Sequence, residues 1–412
     1  MLKVSHQPSG AFFSVIAKTE PENLAAMTVD LRSLFLLDPA VAYLNHGSFG
    51  ACPRPVFEKY QYWQRELERE PVDFLVRQLR GLFTCEQGGP LEEARSALAD
   101  YVNAPAENVT FSLNVTTALN VIARSVTLNQ GDEVLTTDHE YGTIEATWER
   151  ACARAGAKMI RQRIALPVTT HQAFVDGFWA AVTPRTKVIL ISHITSKTAL
   201  IFPVAEICRR ARAAGIITVI DGAHAIGQIP LDLAAIDPDY YTSNCHKWLC
   251  TPKGSAFMYV HPERQESLEP LVLSWAWVNQ QPFSLAHEMW GTNDLSAYLC
   301  IPAAIEFQQQ HKWETVRRQC HKMMLGARDE IAGLTGLPHI APADQGWLAQ
   351  MASMRLPASI DPQELWDTLY RDYKIETLPM ELNGMGLLRI SMQGYNTAND
   401  LERLRAALKE LL

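Results

Sequence analysis

The chain has 412 residues, of which 47% are hydrophobic and 20% are charged, and its formal net charge is −8. This composition is typical of a globular protein with a large core, and the length allows about two or three domains. The acidic balance argues against nucleic-acid binding, and no apolar run approaches the roughly 20 residues that span a bilayer.

The N-terminal region contains one short apolar run, residues 10–17. The small-residue cleavage pattern of a signal peptide is unclear here, so a disordered arm or a start codon placed too early explains the segment more simply. We therefore predict that residues 1–33 form a partly disordered N-terminal arm. The eight cysteines include no C-x-x-C pair, which predicts reduced thiols in a cytoplasmic enzyme and neither a disulfide framework nor a metal site.

From about residue 90 the sequence alternates between helical periodicity and short apolar runs. The predicted strands are Val109–Ser112, Glu133–Thr136, Lys158–Ile164, Lys187–His193, Ile216–Asp221, Tyr240–Ser243 and Ser255–Val260. Strands separated by helices indicate an α/β fold with a mostly parallel sheet that helices cover on both faces. The last strand follows a short turn, which fits an antiparallel direction.

The C-terminal part has a different pattern. Residues 270–282 are rich in Trp, Gln and Pro and predict a long loop. A helix to about residue 334, strands at 351–356 and 387–391, and helices at 362–373 and 398–412 predict a smaller α+β unit. We therefore predict a large domain over residues 34–297 and a small C-terminal domain over residues 298–412.

Polar residues follow the first predicted strand. Thr116 and Thr117 lie after Asn114, where a helix is expected to begin. Free backbone N–H groups at a helix N-terminus, together with two hydroxyls, suit a phosphate. The same residue types are also ordinary helix N-caps, so this motif alone is a weak signal.

The next strand ends carry further candidate ligand groups. Tyr141 follows the second strand and could stack on a flat ring; His139 is the second candidate, and a loop aromatic packed on the core is the alternative. Residues 192–196 add hydroxyls and an imidazole after the strand that ends at His193. Polar residues are common at strand ends, so each signal is modest by itself.

Asp221 and Lys247 form the most specific pair in the sequence. Asp221 ends a buried strand, and Lys247 follows the next strand, 26 residues later. The lysine amine can form an imine with pyridoxal phosphate, and the aspartate can keep the pyridine nitrogen protonated. A solvated surface lysine and an aspartate that caps a helix are the alternatives. Because successive strand ends deliver polar groups to one edge of a sheet, the cofactor site is the better interpretation.

Three segments carry a resemblance to a known family. Residues 43–50, 71–77 and 114–118, together with the lysine motif, resemble the isopenicillin N epimerase-like branch of the class V aminotransferases. These are pyridoxal-phosphate-dependent enzymes of fold-type I, and the resemblance runs from about Leu34 to the C-terminus. It implies a homodimer with active sites at the subunit interface.

The resemblance also implies a role for individual residues. Thr116 and Thr117 would hold the phosphate, with support from Asn244 and His246; Tyr141 would stack on the ring; Asp221 would bind the pyridine nitrogen; His224 or Thr195 would lie near the phenolic oxygen; Thr292 would reach the phosphate in the neighbouring subunit; and Arg389, with Asn45, would bind the substrate carboxylate.

The carboxylate-binding role of Arg389 has alternatives. Strand alternation sets it on the face opposite its apolar neighbours, so it could instead be a solvent-facing side chain. In that case Arg54, Arg77 or Arg80 would be the next candidates for the carboxylate.

The sequence departs from the family pattern at two points. Lys197 stands where many relatives carry a proline, which could alter the pocket. Residues 376–386 contain no cysteine, although the family's cysteine desulfurases carry a nucleophilic cysteine in this region. Persulfide chemistry of that kind is therefore not expected.

The residues predict an enzyme that acts at the Cα atom of an amino acid, with Lys247 as the acid and base. Reprotonation from the opposite face, by Tyr141 or His139, would make it an epimerase or racemase, which is the activity that the branch implies. Loss of a β-substituent would make it a carbon–sulfur lyase for a cysteine conjugate, and protonation on the cofactor would make it an aminotransferase. A pyridoxal-phosphate-binding protein without turnover is the remaining alternative.

Overall fold

The computed structural model describes residues 30–79, 88–343 and 346–412. Residues 1–29 of the predicted N-terminal arm lie outside the described residues. The strands are β1 (Ala42–Tyr43), β2 (Val109–Ser112), β3 (Glu133–Thr137), β4 (Lys158–Gln162), β5 (Thr186–Ser192), β6 (Ile217–Asp221), β7 (Tyr240–Ser243), β8 (Ala256–Val260), β9 (Met351–Arg355), β10 (Ile375–Glu376), β11 (Leu378–Leu382) and β12 (Met385–Ser391).

Helices connect most of these strands. They are α1 (His46–Phe49), α2 (Arg54–Arg69), α3 (Pro90–Tyr101), α4 (Val115–Ser125), α5 (Gly142–Ala155), α6 (His171–Trp179), α7 (Val204–Ala213), α8 (Leu233–Ile236), α9 (Pro262–Gln265), α10 (Trp275–Val278), α11 (Phe283–Glu288), α12 (Ser296–Leu299), α13 (Ile301–Gln310), α14 (Trp313–Thr335), α15 (Pro362–Tyr373) and α16 (Ala398–Leu411). In the described ranges, no helix combines the length and the apolar character that crossing a membrane requires.

A seven-stranded sheet in the order β2-β8-β7-β6-β5-β3-β4 forms the centre of the molecule. The neighbours from β4 to β7 run parallel, and β8 runs antiparallel to both β7 and β2. Strands β3, β5, β6, β7 and β8 are buried along almost their whole length, because helices cover both faces of the sheet. The predicted α/β class, the mostly parallel sheet and the antiparallel final strand are confirmed.

The strand order reverses beside β3, and this reversal positions the site. The chain passes from β3 outward to the edge strand β4 and then returns to β5 on the other side of β3. Connections that leave in opposite directions open a crevice at the carboxyl ends of the strands. The loops after β3, β5, β6 and β7 all begin at this edge.

The C-terminal region forms a second sheet, in the order β11-β12-β9, and all its pairs are antiparallel. The start of the described chain joins it: β1 pairs with β10, and the Ser391 N–H donates to the Leu44 carbonyl at 2.8 Å. Residues 42–50 are thereby held between the two sheets. The domain boundary at residues 297 and 298 stays a prediction.

Several local predictions differ from the structure. The predicted loop at 270–282 contains the short helix α10, and the predicted helix up to residue 334 consists of α12, α13 and α14. The break before α14 falls at Lys312, whose φ of 49° interrupts the helical backbone. Strands β1, β10 and β11 were not predicted. Strands β1 and β10 have two residues each and pair with each other from distant parts of the chain, whereas β11 forms a hairpin with β12 across Asn383 and Gly384, a turn signal that sequence reasoning missed.

Candidate active site

A cavity of about 740 Å³ lies at the carboxyl edge of the central sheet. Residues from both sheets and from the segment 37–49 line it. The predicted site residues that reach it are Asn45, Thr116, Tyr141, Asp221, His224, Asn244, His246, Lys247 and Arg389. The strand ends that the sequence singled out therefore meet in one place.

Lys247 lies in the loop after β7, with its amine in the cavity. Its Nζ atom is 3.2 Å from Nε2 of His224. Burial disfavours the charged amine, and the nearby Arg389 cation adds to this effect, so the pKa of Lys247 falls to about 7 although Asp221 opposes the change. A large fraction of Lys247 is therefore neutral and nucleophilic at neutral pH.

His224 is buried beside the amine. Trp248 Nε1, which can only donate, lies 3.4 Å from Nδ1 of His224, so the imidazole proton is on Nε2 and points toward Lys247. Burial, followed by the Lys247 and Arg389 charges, lowers the pKa of His224 well below its ordinary value. His224 is thus a neutral donor to a neutral amine.

Asp221 is the last residue of β6 and is 4% exposed. One carboxylate oxygen accepts a hydrogen bond from the Ala223 N–H at 2.9 Å. Burial raises the pKa of Asp221, whereas this hydrogen bond and Lys247 lower it. A protonated ring nitrogen at this position would favour the charged carboxylate through a strong hydrogen bond.

The N-terminus of α4 opens into the cavity through Asn114, Val115 and Thr116. The Asn114 side chain caps the helix by accepting from the Thr117 N–H at 2.8 Å. The Thr117 hydroxyl also contacts this oxygen, at 3.1 Å, and Thr117 is not part of the cavity lining. The phosphate predicted here therefore meets Thr116 and the helix N-terminus more directly than Thr117.

Asn244 and His246 support this end of the cavity. Asn244 accepts a hydrogen bond from the Val115 N–H at 3.0 Å and so fixes the start of α4. His246 Nδ1 donates to the Ser255 carbonyl at 2.9 Å, which leaves Nε2 available. Burial lowers the pKa of His246 to about 4, and an anionic phosphate beside Nε2 would counteract that shift.

Tyr141 is 48% exposed and lines the cavity at the start of α5, where a ring could stack on it. The other two candidates, His139 and Thr195, form hydrogen bonds to groups outside the cavity. His139 is fully buried and its Nδ1 contacts the Thr198 hydroxyl at 3.0 Å. The Thr195 hydroxyl contacts Thr198 at 2.7 Å and accepts from the Leu200 N–H at 3.0 Å. Neither His139 nor Thr195 is part of the cavity lining.

Arg389 is 1% exposed, so the solvent-facing alternative is wrong. Its Nη1 donates to the Ser196 carbonyl at 2.7 Å, and its Nη2 donates to the Ser48 hydroxyl at 2.9 Å and to Asn45 Oδ1 at 3.2 Å. All three partners are neutral, and the buried Nε has no hydrogen-bond partner within the described residues. Burial lowers the pKa of Arg389 to about 10, which still leaves the guanidinium charged at neutral pH.

This arrangement has a direct chemical consequence. A buried charge is costly unless an opposite charge or a dense set of hydrogen bonds compensates it. Arg389 faces the cavity with neutral partners only. An anionic ligand such as a carboxylate would supply the missing charge, and the planar guanidinium suits the two oxygens of that group.

The segment that starts at Asn45 contributes groups that sequence reasoning missed. His46 Nε2 contacts the Lys247 carbonyl at 3.0 Å and thereby holds the loop that carries the lysine. A Cβ atom on Gly47 would lie 2.5 Å from Met351 Sδ, so α1 packs closely against the C-terminal sheet. Gly50 has a φ of 69°, and a Cβ there would lie 2.1 Å from the His246 carbonyl. The two glycines that follow His46 were the available signal.

Glu140 is a second group that sequence reasoning missed. It precedes Tyr141 in the chain, is buried, and accepts hydrogen bonds from the Thr137 and Ser192 hydroxyls, the first at 2.7 Å. Burial raises the pKa of Glu140 to about 7, and the Asp221 charge adds to the shift. It links the ends of β3 and β5 underneath the cavity.

The remaining predicted residues lie away from the cavity. Thr292 is exposed beside a separate small pocket, and its predicted contact with a neighbouring subunit stays a prediction. Arg54 is exposed, and Arg77 forms an ion pair with Asp73 at 3.1 Å, so neither replaces Arg389 in the lining. Arg80 lies outside the described residues.

The described cysteines are all unpaired, and none of them lines the cavity. This agrees with the absence of a cysteine from residues 376–386. The chain thus offers, within its described part, no thiol that could take sulfur from a bound substrate.

The donor set fits pyridoxal phosphate. A neutral lysine amine suits the aldehyde, a buried carboxylate suits the pyridine nitrogen, and a helix N-terminus suits the phosphate. Arg389, which lines the cavity and has neutral hydrogen-bond partners only, adds a cation that suits the carboxylate of the amino acid that would react.

The lowered pKa of Lys247 leads to a pH prediction for the cofactor-free protein. Only the neutral amine attacks an aldehyde, so modification should rise with a midpoint near pH 7 instead of 10.5. The rate of trapping a small neutral aldehyde with cyanoborohydride would be followed by mass spectrometry of the Lys247 peptide. The exposed Lys409 in the same sample is the control; identical pH profiles for the two lysines would contradict the prediction.

Comparisons with known proteins agree with this geometry. The model of the aminotransferase class-V family matches residues 83–404. The chain is 35% identical over 404 residues to an isopenicillin N epimerase of Amycolatopsis lactamdurans, covering 94% of this chain and 99% of that protein. It is 30% identical to a putative L-cysteine desulfhydrase of Oryza sativa subsp. japonica, covering 91% of this chain and 84% of that protein.

Solved structures share the fold at lower identity. A cysteine desulfurase of Thermococcus onnurineus NA1 superposes with a TM-score of 0.79 at 21% identity, covering 92% of this chain and 97% of that one. The cystine C–S lyase C-DES, in complex with its product cysteine persulfide, gives a TM-score of 0.76 at 22% identity, covering 90% and 98%. The chain therefore belongs to the aminotransferase class-V family, a family of pyridoxal-phosphate-dependent enzymes.

Proposed function

We propose that the protein is an epimerase that inverts the Cα atom of an amino acid. The observation that carries the proposal is the buried Arg389, which has neutral partners only and shares one cavity with Lys247 and Asp221. Among the relatives reported above, the isopenicillin N epimerase has the highest identity to this chain, 35%, and the match covers 99% of that protein. The proposal concerns the reaction class and leaves the amino acid open.

Each residue has a task in this reaction. Bound pyridoxal phosphate would supply an electron sink that stabilises negative charge at the Cα atom of an attached amino acid. Arg389 would hold the substrate carboxylate and so fix the orientation of the Cα–H bond. Lys247, whose lowered pKa makes it a base near neutral pH, would take the Cα proton. Asp221 would keep the pyridine nitrogen protonated.

Inversion requires a proton from the face opposite Lys247. Tyr141 lines the cavity with an exposed side chain, whereas His139 is buried behind it and bonded to Thr198. Tyr141 is therefore our candidate for the second acid, in addition to its proposed stacking role.

A carbon–sulfur lyase is the second candidate. The observation in its favour is the 30% identity to a putative L-cysteine desulfhydrase over 91% of this chain. A lyase of this kind needs the same proton removal at Cα, followed by departure of the sulfur from Cβ. The residues that remove the proton are shared, so the outcome of the reaction distinguishes the two activities.

One experiment separates the candidates. The cofactor-loaded protein would be incubated with single enantiomers of amino acids and cysteine conjugates in deuterated water. Deuterium at Cα together with the opposite enantiomer supports the epimerase; pyruvate and a released thiol support the lyase; a 2-oxo acid indicates transamination. Retention of every Cα proton would contradict catalysis at Cα altogether.

Arg389→Lys tests the carboxylate contact. Lysine keeps the charge but lacks the planar fork, so amino-acid binding should weaken by about tenfold or more, corresponding to roughly 1.5–3 kcal/mol for a charge-assisted hydrogen bond. Cofactor absorbance should stay unchanged, because the proposed cofactor contacts lie elsewhere. Spectral titration with amino acids and with matched amines that lack a carboxylate measures the effect. Equal losses for both ligand series would contradict the assignment.

We also propose that the protein is a homodimer. Several large apolar side chains are exposed, among them Phe49 at 71%, Leu273 at 65% and Val278 at 73%. Exposed apolar patches of this kind commonly mark protein–protein contacts. Phe49 also lines the cavity, so a second copy that covers it would help to close the site.

We further propose that the protein is cytoplasmic, because the described cysteines are unpaired.

Thr292→Ala tests the shared site. We expect the variant to sediment as a dimer and to lose the cofactor faster than the parent protein, because the partner's phosphate would lack one hydroxyl. Mixing subunits of Thr292→Ala with subunits of Lys247→Ala should restore tight cofactor retention in one site of each mixed dimer. Failure of mixing to restore it, or a fully active monomer, would contradict the proposal.

A further inference from the structure

The outer part of the cavity has its own chemistry. Beyond Arg389 it is lined by Tyr43, Trp366, Leu378 and the carboxylate of Glu376. Trp366 comes from α15, and Glu376 comes from the strand β10 that pairs with β1. This end is distinct from the groups assigned above to the cofactor, so the side chain of a substrate would extend toward it.

Glu376 is only partly engaged by the protein. Its Oε1 atom accepts from Asn45 Nδ2 at 3.0 Å and from Trp366 Nε1 at 3.2 Å. Both donors are neutral, and Oε2 has no hydrogen-bond partner among the residues that the structure describes. One oxygen of the carboxylate therefore remains for a ligand in the cavity.

Asn45 joins Glu376 to Arg389. Its amide nitrogen donates to Glu376, and its amide oxygen accepts from Arg389 Nη2 at 3.2 Å. One side-chain amide thus separates the cationic end of the cavity from an anionic end. A ligand whose carboxylate contacts Arg389 would bring its side chain toward the Glu376 carboxylate.

The aromatic residues near Glu376 also favour a cation at this end of the cavity. The Tyr43 phenol stays neutral, because burial, with a further contribution from Glu376, raises its pKa to about 12. The Trp366 indole lies beside the carboxylate, and a carboxylate flanked by aromatic rings is a favourable environment for an organic cation. Asp38 also lines the cavity and adds a second carboxyl group. Tyr370 is less suitable, because the Lys374 ammonium already lies 5.6 Å from its ring centroid.

We infer that Glu376 is a specificity-determining residue that selects amino acids with a cationic side chain. The inference rests on the proposed function in one respect, namely that the substrate carboxylate contacts Arg389. It adds the substrate class that the reaction type leaves open. Neutral side chains would leave the Glu376 charge without a partner, and acidic side chains would be repelled.

The test uses the cofactor-loaded protein and a panel of α-amino acids matched in length. 2,4-Diaminobutyrate and ornithine carry a cation and are matched in length by the neutral norvaline and norleucine; glutamate and 2-aminoadipate are acidic. Binding would be measured by calorimetry and exchange of the Cα proton by mass spectrometry. We expect at least one cationic member to bind about tenfold or more tightly than its neutral match.

Glu376→Gln should remove that preference. The glutamine oxygen can still accept from Asn45 and Trp366, so Asn45 and Arg389 keep their positions, and binding of the neutral amino acids should not weaken. Glu381→Gln, at an exposed position on β11, is the matched control. The inference is overturned if the parent protein prefers neutral or acidic side chains, if Glu376→Gln keeps the preference, or if it weakens all ligands equally, as a residue that only positions Asn45 would.

The two proposals can fail separately. Cationic preference in binding without any Cα exchange would overturn the proposed reaction and support the selection by Glu376. Cα exchange with neutral amino acids, without a cationic preference, would support the reaction and overturn the selection.

Discussion

Replacing Lys247 by alanine is expected to abolish Cα-proton exchange, with a loss of at least about 10²- to 10⁴-fold, the usual contribution of general acid–base catalysis. The reason is local. The Lys247 amine lies in the cavity with a pKa lowered to about 7, and its nearest nitrogen partner, His224 Nε2 at 3.2 Å, is a neutral donor with a strongly lowered pKa of its own. Neither His224 nor Arg389 can therefore replace it as the base.

Exchange in deuterated water and borohydride reduction measure this prediction independently. Reduction of the parent protein should fix the cofactor to the peptide that contains Lys247, and the alanine variant should carry no label. Lys247→Arg retains a long nitrogen-containing side chain but has no nucleophilic amine, so it should be as inactive as alanine. Lys322→Ala, at an exposed position on α14, is the control. A label on another lysine, or activity in the arginine variant, would refute the role.

The second large effect concerns Asp221. Asp221→Asn should slow Cα exchange by about tenfold or more, which corresponds to the roughly 1.5–3 kcal/mol of a charge-assisted hydrogen bond. An asparagine oxygen can still accept from the Ala223 N–H, so the loop after β6 should keep its structure. The loss would then report the carboxylate charge, which keeps the pyridine nitrogen protonated.

A matched variant separates charge from structure. Asp138 directly follows β3, another strand of the same sheet, where its carboxylate accepts from the Ile164 N–H at 2.9 Å, and it does not line the cavity. Asp138→Asn should leave exchange unchanged. Thermal unfolding of both variants shows whether the fold is intact. Exchange at the parent rate in Asp221→Asn would contradict the assignment.

The sequence by itself determined the strand positions and the edge at which the site forms. Hydrophobic runs are local signals, and they placed β2 and β7 at their observed bounds and the other central strands within one or two residues. Parallel strands have their carboxyl ends at one edge, so Tyr141, Asp221 and Lys247 had to share a neighbourhood once the helices between the strands were recognised.

The tertiary structure decided which side chains reach the cavity. Thr195 and Thr116 both follow strands, but local hydrogen bonds hold the Thr195 hydroxyl against Thr198 while Thr116 lines the cavity. The direction of a side chain at a strand end depends on the first residues of the loop and on the elements packed against it. No periodicity in the sequence encodes that direction.

Local sequence patterns also could not predict contacts between residues that are far apart in the chain. Arg389 meets Asn45 across 344 residues of sequence, and Asn45 meets Glu376 across 331. Strand alternation alone allowed Arg389 to face solvent; the packing of residues 42–50 and of the Ser196 loop buries it and leaves its charge without an anionic partner. The charge of a buried group depends on all the groups that surround it. Only the tertiary structure therefore shows three properties of the cavity: the lowered pKa of Lys247, the lack of an anionic partner for Arg389, and the oxygen of Glu376 that has no partner among the described residues.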